Sequence, residues 1–157
     1  MVAYATIYAM VTRAYKLEDS IGYIMGRAAR SLGTRLNRNF TVSGYDVTCE
    51  QWAVLVNLWR RNGQSQQELA GVTCKDKTSM TRLIHGMEKR RLVVRTPDKL
   101  DRRQKFIFLT ASGKKFQQEL LLIVEKTLKE AQQSIREKDM MTCKKVLKQV
   151  YDNLSDR

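Results

Sequence analysis

The side chains best equipped for chemistry in this sequence are cations, and they are concentrated. Positions 75–105 hold eleven basic residues, Lys75, Lys77, Arg82, Lys89, Arg90, Arg91, Arg95, Lys99, Arg102, Arg103 and Lys105, against four acids, Asp76, Glu88, Asp98 and Asp101. The stretch therefore carries +7 of a formal net charge of +13, where an even spread would place about +2 or +3. Ammonium and guanidinium groups at that density neutralise phosphates, and an arginine can also pair with the edge of a guanine. A polyanionic partner is implied, and nucleic acid is favoured over a membrane surface or an acidic protein.

Other chemistries find little support. There is no Gly-rich phosphate loop and no His-Glu pattern at metal-ligand spacing, and His85 is the one histidine, so an enzyme is not expected. Cys49, Cys74 and Cys143 are odd in number and far apart, without a Cys-x-x-Cys pair, which argues against a disulfide framework and a structural zinc site. A reducing, cytoplasmic setting follows, with no metal or cofactor. The apolar run at 2–11 is too short to span a bilayer and reads as an N-terminal arm or a frayed terminus.

The elements that must position the cations can be read from periodicity. The 157 residues, 43% hydrophobic and 29% charged with eight Gly and one Pro, suit one mainly helical domain with extensions. Leu17, Ile21, Ile24, Met25, Ala28, Leu32, Leu36 and Phe40 predict one long amphipathic helix. Thr48 with Gln51, and Ser65 with Glu68, have capping-box spacing and open two further helices. Asp76 is a good N-cap for a fourth, whose Met80, Leu83, Ile84 and Met87 form a core stripe. On its opposite face lie Thr78, Arg82, His85 and Lys89, flanked by Ser79, Thr81 and Gly86.

Residues 92–96 and 105–109 are β-branched or aromatic runs that predict a hairpin, its tip holding Lys99, Asp101, Arg102 and Arg103. Thr110 begins a predicted long helix through Phe116 and Leu120 to Ile135. A last helix carries Cys143, Leu147, Val150 and Leu154 at seam spacing. The fold expected is mainly α with a small β-hairpin wing, a winged helix-turn-helix flanked by long dimerisation helices. Its divisions fall at 1–44 (arm and dimerisation helix), 45–110 (winged helix-turn-helix) and 111–157 (dimerisation helices). Apolar seams at both ends call for a partner, and a second copy is the simplest one.

In this order the motifs resemble the MarR family of transcriptional regulators. The resemblance is carried by Gln51-Trp52-Ala53-Val54-Leu55, by Ser65-Gln66-Gln67-Glu68-Leu69-Ala70, by Asp76-Lys77-Thr78-Ser79-Met80-Thr81-Arg82-Leu83, and most specifically by the wing Asp101-Arg102-Arg103-Gln104-Lys105-Phe106-Ile107-Phe108-Leu109-Thr110. It departs at Cys74 and Arg91, where the family commonly has Gly, and at Lys99, where it often has Pro. A non-Gly residue at the first two positions implies either another turn or about 1 kcal/mol of strain.

The resemblance implies a homodimeric repressor on a pseudo-palindromic double-stranded DNA operator. The helix from Asp76 would enter the major groove, Arg82 reaching bases or phosphates, Thr78, Ser79 and Thr81 offering hydroxyls, and Lys75, Lys77 and Lys89 meeting phosphates. The wing would enter a narrow minor groove through Arg103, oriented by Asp101. Ordinary solvated charge is the alternative for Arg82 and His85. Family members often bind small aromatic acids or phenols, and the resemblance would offer Arg30, Tyr45 and Trp52 for such an effector; plain core and surface roles are the alternative. For the whole chain the other reading is a winged-helix module for RNA binding or protein assembly, without operator specificity.

Overall fold

In the computed structural model the described residues are 16–98 and 104–155, and the chain divides into two units, 1–35 and 36–157. The expected N-terminal arm at 2–11 and the wing tip at 99–103 lie outside the described residues. Helices dominate: α1 (Ile21–Val42), α2 (Cys49–Arg60), α3 (Gln66–Val72), α4 (Lys77–Lys89), α5 (Ala111–Lys115), α6 (Gln117–Ala131) and α7 (Glu137–Leu154). A small antiparallel sheet of β1 (Gln64–Ser65), β2 (Val93–Pro97) and β3 (Lys105–Leu109) has the order β1-β3-β2.

Local chemistry starts the helices where expected. The Thr48–Gln51 and Ser65–Glu68 capping boxes both form, each hydroxyl accepting the backbone N–H three residues on and each long side chain accepting the cap's own N–H. Asp76 caps α4. The first helix begins later than its periodicity suggests. Leu17 lies in a 3-10 turn, Leu17–Asp19, because Ser20 is extended and its Oγ accepts the N–H of Tyr23 at 3.3 Å, which starts α1 afresh.

The helix expected from Thr110 to Ile135 is also interrupted. It breaks at Phe116 and stops at Ala131. Trp59 Nε1 donates to the carbonyl of Gly113 at 2.9 Å, the acceptor a continuous helix would use for residue 117. Beyond α6, Ser134 takes φ +63° and turns the chain toward α7, so Ile135 lies past the end of that helix.

A single core joins these parts of the second unit. Phe40, Val54, Leu55, Leu58, Leu69, Met80, Ile84, Met87, Ile107 and Leu120 are completely buried. The stripe read on α4 is thus core, with Leu83 half-buried at its edge. Gly86 does not flank the outward face, since a Cβ there would sit 3.5 Å from Gln51 Nε2 of α2. The third strand, β1, is too short to leave a pattern. It pairs Gln64 with Ile107 and Ser65 with Phe106, while the buried Gln64 amide donates to the Asn57 and Arg61 carbonyls at 2.7 Å each.

Three helices end in the same left-handed turn. Gly44 after α1 (φ +84°), Cys74 after α3 (+51°) and Arg91 after α4 (+56°) each precede a residue whose N–H reaches back five positions, Tyr45 to Phe40, Lys75 to Ala70 and Leu92 to Met87, at 2.9–3.0 Å. This is the helix-ending motif that glycine favours. Cys74 and Arg91 therefore keep the turn and carry the strain.

Two stability predictions follow from this geometry. Cys74→Gly relieves a left-handed penalty of about 1–2 kcal/mol and adds about 0.5–1 kcal/mol of unfolded-state entropy, so the variant should gain up to about 1 kcal/mol in urea unfolding; a loss of stability would contradict the assignment. Gly113 is the reverse case, because a Cβ there would lie 2.1 Å from the Leu92 carbonyl oxygen. Gly113→Ala should lower stability by about 1–3 kcal/mol or more in the same measurement, as overpacking against backbone does.

Candidate nucleic-acid interface

α3 and α4 are joined by the Cys74 turn, and the β2–β3 hairpin follows α4 directly. Helix α4 is held from behind by Met80, Ile84 and Met87, which leaves its other face to solvent. Thr78, Arg82, His85 and Lys89 are all exposed there, with Lys77 at its first turn. Its start is fixed by Asp76, whose Oδ1 accepts the Ser79 N–H at 2.8 Å and whose Oδ2 accepts the Ser79 hydroxyl at 2.6 Å. Those bonds hold the Asp76 carboxyl below its ordinary range.

Hydrogen bonds sort the candidate side chains. The Ser79 hydroxyl is committed to the cap. Thr81 Oγ donates to the Lys77 carbonyl at 2.8 Å and accepts from Gln66 Nε2 of α3 at 2.6 Å, stitching the two helices together. Thr78 has no such bond, so its hydroxyl is available to a partner. Glu68, in the cap of α3, is drawn down to about 2 by hydrogen bonds from Arg61 and then Ser65.

Ion pairs sort the cations. Lys75 is mostly buried and its Nζ meets Glu50 Oε1 at 2.5 Å; Arg90 meets Asp46 at 2.8 Å and donates to Gln51 at 2.7 Å; Arg95 lies 3.3 Å from Glu88. Among the described residues of the cluster, Lys77, Arg82, Lys89, Arg91 and Lys105 are left without an ion-pair partner. Lys99, Asp101, Arg102 and Arg103 lie outside the described residues.

An open cleft of about 740 Å³ is bordered by α3, α4 and the hairpin, its lining including Gln66, Gln67, Gly71, Lys77, Thr81, Arg95, Gln104 and Lys105. Lys77 and Lys105 bring unpaired positive charge to its walls. Gln66 and Gln67 were not among the sequence candidates. Their place in the first turn of a capped helix next to the basic helix is the signal that could have found them.

The three candidate effector residues are differently placed. Tyr45 is half-buried and meets Phe116 edge-on, with centroids 5.4 Å apart; Trp52 is half-buried between Phe40 at 6.2 Å and Trp59 at 5.4 Å. Both belong to the aromatic rim of the core. Arg30 is exposed on the part of α1 within the first unit. Cys49 is half-buried, and burial, followed by Glu50, pushes its thiol up, while Cys74 and Cys143 are exposed. Among the described residues no His, Cys, Asp or Glu cluster could hold a metal ion, and no helix is long and apolar enough to cross a membrane.

Residues 47–105 match the MarR family model. The HTH-type transcriptional regulator TtmR of Methylorubrum extorquens is 33% identical over 92 residues, which cover 59% of this chain and 43% of the relative. YybA of Bacillus subtilis, an HTH-type transcriptional regulator, is 31% identical over 91 residues, covering 58% and 59%. The chain thus spans about half the length of these curated relatives. The solved structure of Bordetella bronchiseptica BpsR superposes with a TM-score of 0.80 at 20% identity, over 90% of this chain and 99% of that one. Capped helix pair, basic second helix and hairpin coincide with the segment, residues 47–105, that matches the MarR family model, and over that region the chain is similar to HTH-type transcriptional regulators.

Proposed function

We propose that this protein is a sequence-specific double-stranded DNA-binding regulator, a repressor acting as a homodimer on a pseudo-palindromic operator. The observation that carries the reading is the sorting of charge. Lys75, Arg90 and Arg95 are neutralised by Glu50, Asp46 and Glu88, whereas Lys77, Arg82 and Lys89 on α4, Arg91 beyond its end and Lys105 on β3 keep their charge. On this reading Arg82 and Thr78 meet base edges and the lysines meet phosphates.

A homodimer is supported by the exposed apolar side chains of α6 and α7, among them Leu122, Met141, Tyr151 and Leu154. A two-fold pair would present two α4 helices to half-sites about 34 Å apart or a multiple of that. An effector that releases the operator remains part of the proposal, with small aromatic or phenolic acids as its class. Its support is the structural neighbour BpsR, whose DNA binding is described as regulated by 6-hydroxynicotinic acid. Arg30, Tyr45 and Trp52 are the side chains offered for it.

Binding to random duplex, single strand and RNA tests the reading. Duplex should win, and if six or more phosphates are neutralised by two copies, affinity should drop about a thousandfold or more between about 50 and 200 mM salt. A preference for RNA would favour the RNA-binding module, and a flat salt response would remove the basic cluster from the interface.

Arg82→Ala tests the helix itself. Because Arg82 is exposed and outside the core stripe, the variant should melt like the parent while losing about 1–3 kcal/mol on a selected duplex and relaxing preference at one or two base pairs. An unchanged affinity would leave Arg82 as solvated charge.

A further inference from the structure

Arg95 is part of the basic cluster by sequence, yet the fold turns it inward. It sits in the middle of β2, opposite Ile107. Its backbone N–H donates to Glu88 Oε1 at 3.2 Å, its Nε lies 3.3 Å from Glu88 Oε2, and its Nη2 donates to the Thr81 carbonyl of α4 at 3.1 Å. The Nε atom is shut off from solvent without an aligned hydrogen bond, so it depends on the Glu88 charge. One guanidinium thus spans two turns of α4, and Thr81 is held from its other side by Gln66.

This arrangement explains an acid that simple electrostatics would remove. Glu88 belongs to the helix that faces the proposed polyanion, where a negative charge weakens attraction. We infer that Glu88 and Arg95 are positioning residues, a brace that fixes the hairpin's angle on α4 so that helix and wing can engage one duplex together. The inference rests on the DNA-binding reading and deepens it. Beyond Arg95 the chain runs three residues, about 10 Å, through the end of β2 to Asp98. A tilt of about ten degrees at Arg95 would move that end by about 2 Å, more than a hydrogen bond tolerates. Arginine is required because only its planar fork reaches a carboxylate and a backbone carbonyl at once.

The test uses Glu88→Gln, Arg95→Lys, Arg95→Met and the double variant Glu88→Gln/Arg95→Met, on a duplex selected from a random library by the parent protein. The brace predicts that Glu88→Gln binds about tenfold or more weakly although it sheds a negative charge, that Arg95→Lys fails similarly although it keeps the positive one, and that the double variant is within about twofold of the poorer single. Tighter binding by Glu88→Gln, parental binding by Arg95→Lys, or losses that multiply in the double variant would overturn it and make Arg95 a phosphate ligand.

Amide exchange at Arg95 in the free protein gives a reading without DNA. Acceleration in Glu88→Gln, with the exchange of α2 unchanged, supports the brace and also shows that the variant remains folded; no acceleration overturns it. If exchange responds but the parent selects no duplex, the brace stands as a structural device and the DNA-binding reading is what fails.

Discussion

Everything on the proposed interface depends on how α4 is held. A helix that offers one face to a large partner has only its opposite face for anchorage, and here that face is Met80, Ile84 and Met87, all completely buried. Burial of three such side chains is worth about 5–9 kcal/mol. The turns at Cys74 and Arg91 that bracket the helix cost about 2–4 kcal/mol together. Packing wins, which is why the left-handed turns persist without glycine. The cap at Asp76 then fixes where the helix begins, and so the register in which Thr78 and Arg82 point outward.

Charge is distributed by the same logic. A cation turned toward the fold needs a partner, because an unpaired charge out of water is far more costly than a surface one. Lys75, Arg90 and Arg95 face inward or along α2, and each has an acid, Glu50, Asp46 and Glu88. The total of +7 across 75–105 therefore overstates what the surface offers. Among the described residues, the cations left without an acid are Lys77, Arg82 and Lys89 on α4, Arg91 in the turn after it, and Lys105 on β3.

What was legible in the sequence was what is local. Capping boxes act across three residues, and the α4 stripe repeats within one helix, so both could be read directly. The hairpin strands were legible from their side chains. What stayed hidden rests on partners distant in sequence: the Trp59 bond to Gly113 that marks the break before α6, the two-residue β1 that exists only by pairing with β3, and the ion pair that draws Lys75 to Glu50. Of the candidate site, the exposure of Thr78, Arg82, His85 and Lys89 on one face of α4 was legible. The internal commitments of Ser79 and Thr81 were not, since nothing in residue type tells a hydroxyl that caps from one that waits for a ligand.

The last two helices pose a different physical question. α7 is 18 residues long and has no buried residue, and Leu154, Met141 and Tyr151 are more than half exposed. Most helical stability in proteins comes from packing an apolar face, so this face calls for a cover. Helix α6 has the same surplus, with Leu122 at 61% exposure. A second copy is the cover with the fewest requirements, because an interface repeated by two-fold symmetry needs only one self-complementary surface. On the proposed dimeric reading, the distance between two copies of α4 would be set by helices other than those of the basic cluster. Substitutions in α6 and α7 could then shift operator affinity through geometry alone, the route by which an effector bound far from the cations could release DNA without competing for any of them.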